Sequence, residues 1–220
     1  MGGLPFVALV GTLALACDGD KKREPTATAE RSQAVTAKPQ AAQSAPPAAS
    51  SAPTVAKKPP RKLCAGELEK PGKKLTDKPI SRRAAAGAKE LPAKLAGRAG
   101  GWTWINFWAA WCVPCKEEMP RLLGFEKKLA GKLTLTFVSL DDDQRQLDDF
   151  LKAQPDTGVK STYWLSEGKE REGWLGASEI EEDPELPTHL LVDPQGKVRC
   201  RVKGAVEDSD FASLAEIVGG

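Results

Sequence analysis

The sequence predicts an α/β fold, a central mixed β-sheet flanked by helices on both faces. Three observations carry that reading. Apolar periods of strand and helix type alternate in the order βαβα and close with ββα, which calls for a sheet covered on both sides. A Cys-x-x-Cys, Cys112 to Cys115, stands where an aromatic strand-like run meets a helix start. Large apolar residues are concentrated after Leu63, and between Cys17 and Leu63 the only ones are Val35 and Val55. One core is therefore expected, over 63–220, preceded by a segment with little to bury.

Residues 102–109 are rich in aromatics with Ile105 central, the pattern of a buried strand. Residues 114–130 read as a helix, with Leu122, Leu123, Phe125 and Leu129 on an apolar face and Gly131 ending it. Pro120 inside this helix lacks an N–H and should kink it. A second strand covers 133–140. A helix over 144–153 turns Leu147, Phe150 and Leu151 inward, and Asp141-Asp142-Asp143 suits its start by capping and dipole rather than as a metal site. Residues 161–165 read as a third strand and 173–180 as a short helix. A strand over 188–192, a turn at Asp193-Pro194-Gln195-Gly196 and a strand over 197–203 form a hairpin. A last helix covers 208–218.

A Cys-x-x-Cys at a helix start has a physical reason to be redox-active. Free amide N–H groups and the positive end of the helix dipole meet at the first cysteine. They stabilise its thiolate, the attacking species in disulfide exchange. A lone Cys-x-x-Cys could also be half a zinc site, but the chain has no second such pair and only one histidine, His189. With 32 Lys and Arg against 30 Asp and Glu, the net charge of +2 gives no electrostatic case for nucleic acid.

Residues 1–16 are almost wholly apolar and uncharged, too short for a comfortable membrane span and matching a secretory signal core. With Cys17 they resemble a bacterial lipobox, in which the cysteine is lipidated and becomes the mature N-terminus. The match departs in two places: Ala14 replaces the favoured leucine, and no Lys or Arg precedes the apolar run, which leaves open a start upstream of Met1. Residues 18–62, Ala/Pro/Ser-rich, read as a disordered linker. About 40 flexible residues reach roughly 35 Å in root-mean-square terms. The expected arrangement is a membrane-anchored lipoprotein facing the periplasm.

The run from Asn106 to Leu122, Asn-Phe-Trp-Ala-Ala-Trp-Cys-Val-Pro-Cys-Lys-Glu-Glu-Met-Pro-Arg-Leu, resembles the TlpA/ResA group of thioredoxin-like, extracytoplasmic thiol-disulfide oxidoreductases. Residues 186–198, Leu-Pro-Thr-His-Leu-Leu-Val-Asp-Pro-Gln-Gly-Lys-Val, resemble the family's cis-proline segment and the turn after it. The resemblance runs over about 73–220 and implies a thioredoxin-like fold. It implies that Cys112 is the nucleophile and more exposed sulfur, and Cys115 the buried resolving thiol. It makes Pro187 cis, so that the Leu186 backbone can pair with an incoming peptide, while Trp111 offers an apolar contact. Asn106 stands where thioredoxin has a buried aspartate that takes the second cysteine's proton. Asparagine cannot, so another carboxylate or water must; Glu182, Asp183 and Glu185 precede Pro187 and read as solvated loop charges. Glu118 matches the family's glutamate, and its position alone suits the helix dipole. His189 is expected to be packed or hydrogen-bonded.

Cys64 and Cys200 are left over, and in an oxidising compartment such a pair commonly forms a structural disulfide. Two isolated thiols, or exchange with the active site, are the alternatives. The resemblance implies a reductant of protein disulfides that needs no cofactor beyond its own cysteines. Its electrons would come from a membrane donor of the DsbD/CcdA kind, and its clients would be proteins of cytochrome c maturation or copper-site assembly. A disulfide-forming oxidase, a thiol peroxidase and a non-catalytic binding module on the same scaffold are the competing readings.

Overall fold

A computed structural model describes residues 61–95, 97 and 100–219. The signal-like segment, Cys17 and all but the last two residues of the linker (61 and 62) lie outside the described residues.

Seven strands form one mixed sheet: β1 (Lys73–Lys74), β2 (Ser81–Ala84), β3 (Trp102–Trp108), β4 (Leu133–Ser139), β5 (Ser161–Trp164), β6 (Thr188–Val192) and β7 (Lys197–Lys203). Their order across the sheet is β1-β7-β6-β3-β4-β5-β2. β3 pairs parallel with β4 and antiparallel with β6, and β4 pairs parallel with β5. The helices are α1 (Val113–Lys128), α2 (Gln144–Ala153), α3 (Lys169–Ala177) and α4 (Phe211–Gly219). Among the described residues no helix is long and apolar enough to cross a membrane.

The alternation of side chains along β3 organises two cores. Trp104 and Trp108 point to one face, where they join Met119, Leu122 and Phe125 of α1, Leu147 and Leu151 of α2, and Leu214 and Val218 of α4. Ile105 and Phe107 point to the other, against Trp174 and Leu175 of α3 and Leu75, Ile80 and Leu95 of the N-terminal segment. The expected mixed sheet with helices on both faces is therefore what forms. Its most apolar strand lies at the centre because that is where both faces are covered.

Several boundaries move. β1 and β2 were not legible in the sequence. They are the two edge strands, short and built of Lys-Lys and Ser-Arg-Arg-Ala, and an edge strand with one solvated face needs no apolar alternation. α3 starts at Lys169 rather than 173, since Gly168 turns the chain at φ 121° and Glu170 and Glu172 favour the first turn. α1 ends at Lys128, two residues early, with Gly131 at φ 85° just beyond. It continues through Pro120, whose missing N–H leaves the Lys116 carbonyl without its intrahelical bond. The last helix begins as a 3-10 turn at Asp208–Asp210.

Candidate active site

β3 delivers the chain to the start of α1 through Ala109, Ala110 and Trp111. Cys112 is the N-cap of α1, and Cys112 and Cys115 are joined in a disulfide. The Cys115 N–H points at Cys112 Sγ, 3.3 Å away. The free N–H end of the helix is thus aimed at the first sulfur, where it favours negative charge. Both cysteines are buried in this oxidised form: Cys112 is 4% exposed and Cys115 0%. The order of exposure is the expected one, but the first sulfur is not open. The exposed surface here is apolar, since Trp111 and Val113 are each 57% exposed.

The Leu186–Pro187 bond is cis. Thr188 pairs with Phe107, so Pro187 stands at the end of β3 from which the chain runs to Cys112. Leu186 is half-buried. Glu182, Asp183 and Glu185 are exposed.

The carboxylate inside the protein is Glu118. It lies one turn after Cys115 on the same buried face of α1 and is 0% exposed. It is not the surface partner of a helix dipole that its position suggested: residues 115 and 118 share a face, and that face is packed on the sheet. Glu118 Oε1 accepts from Asn106 Nδ2 at 2.8 Å, and Oε2 accepts from the Val206 N–H at 2.8 Å. Burial raises its pKa to about 7, against the smaller opposing pull of these two donors and of the Arg121 and Arg61 charges. Asn106 thus stands beside the carboxylate rather than replacing it.

His189, on β6 opposite Asn106, completes the cluster. Its Nδ1 accepts from Trp104 Nε1 at 2.9 Å and lies 3.1 Å from Asn106 Nδ2. Its Nε2 is 3.6 Å from Glu118 Oε2. Complete burial lowers its pKa to about 3, so the ring is neutral.

Sequence reasoning missed Asp141. Only Asp143 of the acidic run caps α2, by accepting from the Arg145 N–H at 2.9 Å. Asp141 is buried at the end of β4. Both its oxygens lie 2.9 Å from the Ala110 N–H, and one accepts from Ser139 Oγ at 2.8 Å. It braces the loop that carries Trp111 and Cys112. The available signal was topological: the end of one strand lies beside the end of its parallel neighbour. Cys64 and Cys200 are joined in a second disulfide that ties residue 64 to β7.

Residues 101–198 match the family model described as thioredoxin-like. The chain is similar to the thiol-disulfide oxidoreductase ResA of Bacillus subtilis, 28% identical over 119 residues, which is 52% of this chain and 62% of that protein. It is likewise similar to ResA of Oceanobacillus iheyensis, 31% identical over 104 residues, 46% of this chain and 49% of that protein. The chain thus spans less than two thirds of the length of these relatives. A solved structure from Chlorobium tepidum, described as a putative thiol:disulfide interchange protein DsbE, superimposes with a TM-score of 0.52 at 22% identity. The superposition covers 68% of this chain and 96% of that one, and it shows a shared fold.

Proposed function

We propose, from a chain that carries a thioredoxin-like domain over residues 101–198, that this protein is a thiol-disulfide oxidoreductase that reduces disulfides in partner proteins. One observation carries the reading: the Cys112–Cys115 pair caps a helix, and a buried carboxyl with a pKa of about 7 sits one turn deeper.

In the reduced protein the Cys112 thiolate, favoured by the helix N-terminus, attacks one sulfur of a partner disulfide. The partner's S–S bond breaks, a mixed disulfide forms, and the departing partner thiolate takes a proton. Trp111 and Val113 provide the apolar contact, and the Leu186 backbone beside cis-Pro187 provides an edge for the partner's strand. Cys115 then gives its proton to Glu118, and its thiolate attacks Cys112 Sγ. The mixed disulfide breaks, the second partner thiolate leaves and is protonated, and the Cys112–Cys115 disulfide closes. The partner has gained two electrons and this protein has lost two. A general acid or base works best with a pKa near the ambient pH, which burial gives Glu118.

The same reading makes Cys17 a lipid anchor and residues 18–62 a tether outside the cytoplasm. Clients are cysteine pairs of proteins assembled at the membrane, as in cytochrome c maturation or copper-site assembly. A membrane dithiol donor of the DsbD/CcdA type restores the reduced state, and no cofactor beyond the cysteine pair is needed. Val113-Pro114 places no histidine between the cysteines to stabilise the thiolate strongly, which supports a reductant.

A Cys115→Ser variant tests the proposal. It should hold partner proteins as mixed disulfides at Cys112, released by added dithiol, and the wild-type domain should reduce insulin. A variant that captures no partner, or a midpoint potential above roughly −150 mV, toward DsbA at about −120 mV and away from thioredoxin at about −270 mV, refutes it.

A further inference from the structure

The buried cluster around Glu118 contains a donor that the exchange chemistry does not use. An indole nitrogen can only donate, so the Trp104 Nε1 contact makes His189 Nδ1 a lone-pair nitrogen. The neutral ring therefore carries its proton on Nε2. That N–H is buried and completes no hydrogen bond of ordinary geometry, although the Gly204 backbone favours the protonated ring. It faces Glu118 Oε2 at 3.6 Å, beyond hydrogen-bond range. A closure of about 0.7 Å would bring it into the range of a charge-assisted bond, about 2.7–2.9 Å.

We propose that His189 is a positioning residue for Glu118, its Nε2–H standing off while the carboxyl is protonated and closing onto Oε2 when it becomes a carboxylate. The inference rests on the reading of Glu118 as the proton acceptor for Cys115. An ionised oxygen is the stronger acceptor, so the contact tightens only in one protonation state. The ring cannot compete for the proton, because its burial and the Trp104 bond hold it neutral. The other groups facing Glu118 are the Asn106 amide from β3, the Val206 N–H from the loop after β7, Arg121 of α1 itself, and Arg61 of the N-terminal segment. Of these donors only His189 Nε2–H completes no hydrogen bond of ordinary geometry, the Gly204 backbone being its other neighbour. It thus lowers the cost of ionising a carboxyl that burial holds protonated.

The test is a titration of the Glu118 carboxyl carbon by NMR in the full chain, in the wild type, His189→Asn and His189→Gln. Glutamine places an amide N–H near the Nε2 position, whereas asparagine ends near Nδ1. His189→Asn should raise the proton affinity of Glu118 about tenfold, and His189→Gln should stay within about threefold of wild type. The pH profile of the step in which Cys115 resolves the mixed disulfide should shift in the same sense. An unmoved titration in His189→Asn, even with lowered Tm, overturns the proposal, as does an equal shift in both variants. If neither variant folds, Trp104→Phe, which removes the indole donor from Nδ1 and leaves only the longer Asn106 contact to hold the tautomer, decides: a raised proton affinity supports the proposal and an unchanged one overturns it. A Glu118→Gln variant with an unaltered pH profile refutes the acceptor role instead, independently of the NMR coupling.

Discussion

Glu118 and His189 are both buried in their neutral forms, and this has an opposite consequence for each in the dependence of stability on pH. The Glu118 pKa is about 7 in the folded protein against an ordinary 4.5. The native state therefore binds a proton between these values that the unfolded chain has released. Its contribution to stability, about 3 kcal/mol over the whole shift, is fully present below pH 4.5 and is lost as pH rises through 7. The His189 pKa is about 3 against an ordinary 6.5. There the unfolded chain binds the extra proton, and stability rises with pH between 3 and 6.5. From pH 4.5 to 6.5 the two slopes, each about 1.4 kcal/mol per pH unit, have opposite signs and cancel.

Glu118→Gln removes one slope and leaves the other. With both disulfides intact, denaturant unfolding of wild type and variant at pH 4.5 and 6.5 isolates the effect, because every other titrating group is common to both proteins. The variant should gain about 2 kcal/mol on the wild type between the two pH values, less than the limiting slope because each end lies within a titration. Any constant cost of a poorer contact to Val206 or Asn106 drops out of that comparison. A difference between the proteins that is the same at both pH values refutes the reasoning, since it means that Glu118 titrates in the folded protein as it does in the unfolded chain.

Asp141→Ala should destabilise by about 2–3 kcal/mol, because it leaves the Ala110 N–H and the Ser139 hydroxyl buried without their acceptor; denaturant unfolding measures this, and Asp141→Asn should recover part of the loss. The paired Cys64→Ala and Cys200→Ala variant opens a loop spanning 136 residues and should lose ~2–5 kcal/mol by the same measurement, while the folded variant keeps its insulin-reduction rate because neither cysteine belongs to the Cys112–Cys115 pair.

What was legible in the sequence and what was not divide along a physical line. β3 could be read because its residues are buried on both faces, so nearly every one must be apolar or aromatic and the run stands out. The pair Cys112 and Cys115 could be read because helix capping is local: three residues fix where the sulfurs sit relative to the N–H groups. The edge strands could not be read, because Lys73–Lys74 and Ser81–Ala84 are short, polar and mostly exposed and so carry no apolar alternation. The same line runs through the site. Glu118 seen along the chain is one acidic residue in the first turns of a helix, and there a dipole role is the local reading. Its actual role follows from three contacts that lie 12, 71 and 88 residues away in sequence, at Asn106, His189 and Val206. None of them leaves a periodic trace, because hydrogen bonds between distant elements depend on register rather than on composition. Register supplies the link: β3 and β6 pair so that Asn106 meets His189, and a slip of β6 by one residue would turn His189 to the face away from Asn106. The apolar pattern that fixes the register of these two strands therefore also fixes which polar groups surround the carboxyl. The chemistry of the cysteine pair thus depends on polar contacts made by residues far from the Cys-x-x-Cys motif in sequence.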